Sequence, residues 1–205
     1  MSESENIEIK GLVLCGGYST RMQEDKSTIA YHGVPQWKYL VKLLQNLIPE
    51  VYISCRPDQL LQFADHPMLI PDNVATKGPS AGILSAYQKD QHVAWLVIAC
   101  DLPNISEQSL KYLISNRNIT KAATTFISPV NHLAEPLITI WEPAALKSLA
   151  HNTEAGITCP RKTLLNCDIH LLENPFAEEQ FNANTPDEKA RISELIHQQK
   201  IPSSR

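Results

Sequence analysis

The chain has 205 residues, 43% of them apolar, and a formal charge of −4. That is enough apolar material for a substantial core within one α/β domain, while the mild acidity gives no global basic field to attract nucleic acid or an anionic membrane. The polar, acidic start MSESENIEIK lacks the order of a secretory signal, and no apolar run approaches the ~20 residues of a membrane-spanning helix, so the expected location is the cytoplasm.

Taken in chain order, Gly11 to Cys15 reads as a buried strand delivering a turn at Gly16-Gly17, followed by a loop from Tyr18 to Ser27. Leu40, Val41, Leu44, Leu47 and Ile48 recur at helical steps from Trp37, with Pro35 before them and Pro49 as the stop. Val51 to Ile53 and Met68 to Ile70 read as strands, the latter ending at Pro71-Asp72. A turn from Gly78 to Gly82 precedes a helix through Ile83, Leu84 and Tyr87. Trp95 to Cys100 is apolar throughout, as a strand covered on both faces requires, and Asp101-Leu102-Pro103 stops it.

Beyond it, Ser106 is placed to cap a helix through Leu110, Leu113 and Ile114, and Ala122 to Phe126 and Pro136 to Ile140 look like strands. Thr185, Pro186 and Glu188 form the capping pattern of a last helix. Strands alternating with helices predict a single domain over 1–205, a Rossmann-like three-layer α/β/α arrangement with a mainly parallel sheet. Residues 1–8 and 201–205 are expected to be loose.

Five scattered cysteines contain no C-x-x-C pair, and the seven histidines show no metal-binding spacing, so any metal is expected to arrive with substrate. Cys15 and Cys100 read as buried packing residues, His132 as a loop residue, and Arg161-Lys162 as a solvated face.

Three polar features fall at strand ends: the Gly16-Gly17 loop, Asp72 and Asp101. Ligands of open α/β sheets bind outside the carboxyl ends of the strands, so these segments are expected to share one crevice. Adjacent glycines admit backbone N–H groups close to a phosphate, and Arg21 and Lys26 add charge. The loop is neither a Walker motif nor a complete G-x-G-x-x-G, and a Gly-Gly pair by itself is most often a tight turn. Asp101 suits Mg²⁺ with triphosphate oxygens, although an isolated Asp-Leu-Pro, like Pro71-Asp72-Asn73, is also good turn chemistry.

With those residues in view, the chain resembles the molybdenum cofactor guanylyltransferases, which transfer a nucleotide from a triphosphate and release pyrophosphate. The resemblance rests on Leu14 to Lys26, Gly78 to Gly82, Cys100 to Pro103, Glu135 to Leu137, and Asn182 to Pro186. It implies that Leu14, Cys15, Gly16, Gly17, Lys26, Ser54, Asp72, Pro79, Gly82 and Asp101 bind the nucleotide, with Asp101 also holding Mg²⁺. It further implies that Lys26, Arg21 and Asp101 serve catalysis, and that Asn182 and Asn184 face the pterin, helix capping being their alternative role. Two residues depart from the family pattern: Cys15 stands for the usual Ala, and Gln23 for the usual Gly, at a cost in backbone freedom if that position needs positive φ.

The resemblance implies GTP and molybdopterin as substrates, joined when a terminal phosphate oxygen of the pterin attacks the α-phosphorus of GTP. Transient contact with cofactor-delivery proteins or molybdoenzymes would follow; nucleic acid and membrane would not. Two alternatives share much of this sequence: a cytidylyltransferase or sugar-nucleotide-forming enzyme with the same phosphate machinery, and a non-catalytic carrier of nucleotide or pterin.

Overall fold

Continuous apolar runs fix the centre of the fold, because a strand without a polar face must be covered on both sides. The computed structural model describes residues 7–17 and 25–200. Its strands are β1 (Ile9–Leu14), β2 (Val51–Cys55), β3 (Leu69–Pro71), β4 (Ala94–Ala99), β5 (Ala123–Ile127), β6 (Ala134–Trp141) and β7 (Ile169–Leu172). Among the described residues they form one seven-stranded sheet in the order β3-β2-β1-β4-β6-β5-β7. β6 runs antiparallel to β4 and β5 while the other pairings are parallel, giving the mainly parallel sheet expected.

Alternation along the strands divides the core into two layers. Val13, Ile53 and Ile98 pack on one face against Trp37, Leu40 and Leu44 of α1 (Gln36–Gln45) and Leu110 and Leu113 of α3 (Glu107–Ser115). Leu12, Trp95 and Val97 meet Ile83 and Leu84 of α2 (Pro79–Lys89) and Leu146 and Leu149 of α4 (Pro143–Glu154) on the other. Full burial of one such side chain contributes about 1.5–3 kcal/mol.

The chain leaves β1 through α1 to β2 and then β3, and α2 returns it to the opposite side of β1 as β4. With α1 and α2 on opposite faces, a crevice opens at the carboxyl ends of β1 and β4, the topological switch point at which such sheets bind ligands.

Several boundaries differ from the sequence expectation. α1 stops at Gln45, short of Pro49, and Leu47 and Ile48 reach the core from the following turn by donating their N–H groups to Leu44 O. α2 begins at Pro79, so the expected turn from Gly78 to Gly82 is largely the first turn of the helix, with Gly78 at φ 71° as its N-cap. α4, α5 (Pro160–Leu165) and β7 were not anticipated. The caps were: Ser106 accepts from Ser109 N–H, and Thr185 and Glu188 bond reciprocally at the start of α6 (Pro186–Lys200). Ile7 and Glu8, expected to be loose, are tied down, since Ile7 O accepts from Arg117 and Glu8 O from Ala94 N–H. No helix among the described residues is long and apolar enough to cross a membrane.

Arg117 ties the residues entering β1 to the N-terminus of α4. Its guanidinium donates to both carboxylate oxygens of Glu142 at 2.7 and 2.8 Å and to Ile7 O at 2.7 Å. Both side chains are almost wholly buried, at 9% and 3% exposure. Arg117→Ala leaves the Glu142 charge buried and alone, and is expected to lower stability by about 3–5 kcal/mol in urea unfolding. Loss of less than about 1 kcal/mol, the median for an exposed pair, would contradict this role.

Candidate active site

The site begins with a register. Leu14 pairs with Ser54 of β2 on one side and Ala99 of β4 on the other, so three parallel strands end in one row. Asp72 extends the row, its N–H donating to Cys55 O at 2.8 Å. Just past the row lie the Gly16-Gly17 loop, Asp72 and Asp101, and they line a single cavity. Leu14, Cys15, Ser54 and Lys26 line the same cavity, and Pro79 and Gly82 close it from the first turn of α2. Arg21 and Gln23 lie outside the described residues.

Two glycines are required by close approach. A Cβ on Gly16 would collide with Asp72 Oδ2, and one on Gly82 with Ser54 Oγ and Leu14. The carboxylate and hydroxyl that crowd them are themselves bonded, Ser54 Oγ donating to Asp72 Oδ1 at 2.6 Å. Burial pushes the Asp72 carboxyl above its ordinary value, against the opposing effects of Ser54 and Arg56.

Asp101 occupies the opposite wall. Its Oδ2 lies 3.9 Å from Lys26 Nζ, while Oδ1 is buried with no hydrogen-bond partner among the described residues. Burial raises its pKa, with Lys26 pulling the other way. Lys26 also donates to Asn184 Oδ1 at 2.5 Å, and Ala183 N–H donates to Asp101 O at 2.9 Å. The segment carrying Asn182 and Asn184 is thereby docked beside the cavity without lining it. Capping at this point is done by the Thr185 side chain and Glu188, not by the Asn184 side chain.

Residues not anticipated from the sequence hold this geometry. Arg56 donates to the carbonyls of Gly16 and Gly17 at 3.0 and 3.2 Å, which orients both peptide planes. Asp25 accepts from Ser27 N–H, Ser27 Oγ and Gln59 Nε2 at 2.7–2.9 Å, fixing the backbone on either side of Lys26. Arg56 follows the end of β2, so the strand-end rule that singled out Asp72 and Asp101 would have found it too. Of the pair expected on a solvated face, Lys162 is exposed, but the partly buried Arg161 donates to Ala134 O and to the buried Glu135, whose carboxyl burial raises and Arg161 lowers. His132 sits in the loop between β5 and β6 at φ 57°.

An ammonium, a buried carboxylate with an unfilled oxygen and a glycine loop around one crevice suit a ligand carrying both an anion and a hard cation. Among the described residues no three His, Cys, Asp or Glu side chains converge to hold a metal by themselves. Asp101 Oδ1 nevertheless fits a Mg²⁺ ion that keeps its water and takes its remaining ligands from substrate oxygens.

Comparison with known proteins gives a consistent picture. Residues 11–178 match the family model described as "MobA-like NTP transferase domain". The chain is 34% identical over 185 residues to the molybdenum cofactor biosynthesis bifunctional protein of Synechocystis sp., covering 89% of this chain and 53% of that one. It thus spans about half the length of that relative. It is 28% identical over 180 residues to the molybdenum cofactor guanylyltransferase of Pseudomonas fluorescens, covering 86% and 89% of the two chains. Molybdopterin-guanine dinucleotide biosynthesis protein A from Archaeoglobus fulgidus superposes with a TM-score of 0.76 at 20% identity over 92% of this chain and 99% of its own, which shows a shared fold.

The raised pKa of Asp101 fixes a sign for stability. A carboxyl raised on folding is protonated in both states at low pH, and its cost to the fold appears as pH rises from the ordinary value of 3.8 through the folded value. Asp101→Asn is therefore expected to raise the melting temperature near neutral pH and to leave it little changed in acid. A melting temperature lowered equally at both would show that Asp101 serves the fold.

Proposed function

The chain belongs to the MobA-like NTP transferase domain family, and from that premise we propose that it transfers GMP from GTP to the terminal phosphate of molybdopterin, releasing pyrophosphate. The observation that carries this reading is the meeting of Lys26 and Asp101, 3.9 Å apart, in the cavity that Gly16 and Gly17 line. The reading takes the whole chain as one nucleotidyltransferase domain working in the cytoplasm, a reducing compartment suited to its free cysteines.

The acceptor phosphate, with a second pKa of about 6, is already largely ionised near neutral pH, so the protein needs no strong general base. Its task is to position two anions and offset their charge. Backbone N–H groups of the diglycine loop face the triphosphate. Lys26 offsets charge gathering on the α-phosphoryl group and the leaving pyrophosphate, with Arg21 assigned the same role. Because Lys26 also contacts Asn184, it stands between the nucleotide and the segment to which we assign the pterin, Asn182 to Asn184. In this reading the attacking phosphate and the α-phosphorus would lie on the two sides of one ammonium. Mg²⁺, held by Asp101, supplies charge neutralisation when bound.

Leu14, Cys15, Ser54, Pro79 and Gly82 form the remaining walls for the nucleotide. The half-buried Asp72 carboxylate, whose Oδ1 also accepts from Ser54, favours guanine, whose N1–H and exocyclic amine present two adjacent donors. Cytosine offers one amine beside an acceptor nitrogen, which would face the carboxylate lone pairs. Transient contact with cofactor-delivery proteins or molybdoenzymes is part of the same proposal.

Equilibrium binding with Mg²⁺ and each of GTP, CTP, ATP and UTP is expected to rank GTP first; a preference for CTP would move the assignment to a cytidylyltransferase. Pyrophosphate release with GTP and molybdopterin is expected from the native chain, and tight binding without release would indicate a carrier. Lys26→Ala should remain folded by circular dichroism, with a lowered melting temperature because Asp101 loses its neighbouring cation, and should lose on the order of a hundredfold in rate. Near-native turnover by that variant would remove Lys26 from the mechanism.

A further inference from the structure

The same strand register that assembles the cavity also aligns three cysteines. Cys15, Cys55 and Cys100 each follow or end a strand of the row β2-β1-β4, on the face that packs against α1 and α3. Cys15 N–H donates to Ser54 O at 2.8 Å and Cys100 N–H to Leu14 O at 3.3 Å, so the ladder continues through them. All three are buried and in the free form. Cys15 and Cys100 also line the cavity, and their sulfur atoms are 3.1 Å apart.

The geometry points to Cys15 and Cys100 as a reversible oxidation site, a thiol pair that closes to a disulfide and thereby switches off the cavity above it. Neighbouring strands lie ~4.8 Å apart, inside the ~4.4–6.8 Å range of Cα separations that disulfides span, and both side chains project from the same face of the sheet. Bond formation at ~2.05 Å requires the two sulfurs to approach by about 1 Å. The oxidant is a hydroperoxide small enough to enter the cavity. Burial holds the Cys15 thiol well above its ordinary pKa, so Cys100 makes the first attack on the peroxide oxygen, its proton passing to the departing oxygen; this gives a sulfenic acid and releases the alcohol, or water from hydrogen peroxide. The second thiol then attacks the sulfenic sulfur, forming the S–S bond and expelling water. Two thiols are oxidised by two electrons and the peroxide bond is reduced; a dithiol reductant reverses the step.

The consequence follows from the neighbours in sequence. Cys15 precedes Gly16 and Cys100 precedes Asp101, so drawing the sulfurs together shifts the phosphate loop and the carboxylate relative to each other. Displacements of about 1 Å at a reacting centre cost ~100-fold in rate. The switch therefore needs no large conformational change. A bound nucleotide covers the route to the thiols, so occupancy protects them.

The test treats the full-length chain with hydrogen peroxide, with and without Mg²⁺ and GTP. Expected results are an intact mass lower by two hydrogens, a peptide joining Cys15 to Cys100, and a transfer rate reduced by about 10- to 100-fold that dithiothreitol restores. Mg²⁺ with GTP should slow cross-linking. Cys100→Ser and Cys100→Ala, each compared with its own untreated rate, should resist peroxide, whereas Cys159→Ser, at an exposed position, should remain sensitive. Oxidation confined to Cys159 or Cys167, a Cys15 to Cys55 link, or equal peroxide sensitivity in both Cys100 variants would overturn the assignment. Cross-linking with an unchanged rate would overturn the switch. The protection and rate measurements rest on the proposed nucleotide chemistry; mass and peptide mapping do not, so the two readings fail separately.

Discussion

Everything at the cavity depends on the register by which β1 pairs with both its neighbours. Leu14 stands opposite Ser54 on one side and Ala99 on the other, so three strands end level and three loops leave the sheet at the same height. A one-residue slip of β1 would bring a side chain to the place of Gly11, where a Cβ would lie 3.1 Å from Val51 and 3.2 Å from Leu44, and would exchange the layers into which Leu12 and Val13 pack. The hydrophobic core thus acts on function directly: by fixing which residues of β1 face α1 and which face α2, it fixes where Gly16 stands relative to Asp101.

That level edge also explains why destabilising groups gather there. Asp72 and Asp101 are carboxyls whose pKa is raised by burial, and Asp101 keeps an oxygen without a hydrogen bond among the described residues. Such groups detract from folding unless a ligand completes them. Interactions elsewhere offset that cost: the Arg117–Glu142 pair ties down the entry to β1, and at the cavity wall Asp25 with Gln59 anchors the approach to Lys26. Glu135, beside Asp101 in the same electrostatic field, is instead matched by Arg161. Glu135 is bonded by Arg161, while Asp101, 3.9 Å from Lys26, keeps Oδ1 without a hydrogen-bond partner among the described residues.

The C-terminal segment, singled out in the sequence by Asn182 and Asn184, takes part through its backbone as well as a side chain. Ala183 bonds the backbone of Asp101 and Asn184 bonds Lys26, so residues distant in sequence complete the setting of both charged groups. α6 then packs Ile192 and Ile196 against Ala183 and Tyr31, a small separate cluster that keeps the segment in place. A reading of this site limited to the first hundred residues would omit the side from which the proposed acceptor approaches.

The sequence by itself determined the layering and much of the site. Short apolar runs at β1 and β4, stopped by Gly16-Gly17 and by Asp101-Leu102-Pro103, read as strands covered on both faces, and the strand-end rule pointed from Gly16, Asp72 and Asp101 to one crevice. The caps at Ser106 and Thr185 were legible because capping uses side chains only three residues apart. α4, α5 and β7 escaped because their stability comes from packing against a sheet that local pattern does not reveal. Tertiary structure alone decided that Arg56 clamps the diglycine carbonyls, that Arg161 meets Glu135, and that Cys15 touches Cys100. Each is a contact between segments far apart in the chain, and strand order and register, absent from any local window, set such distances.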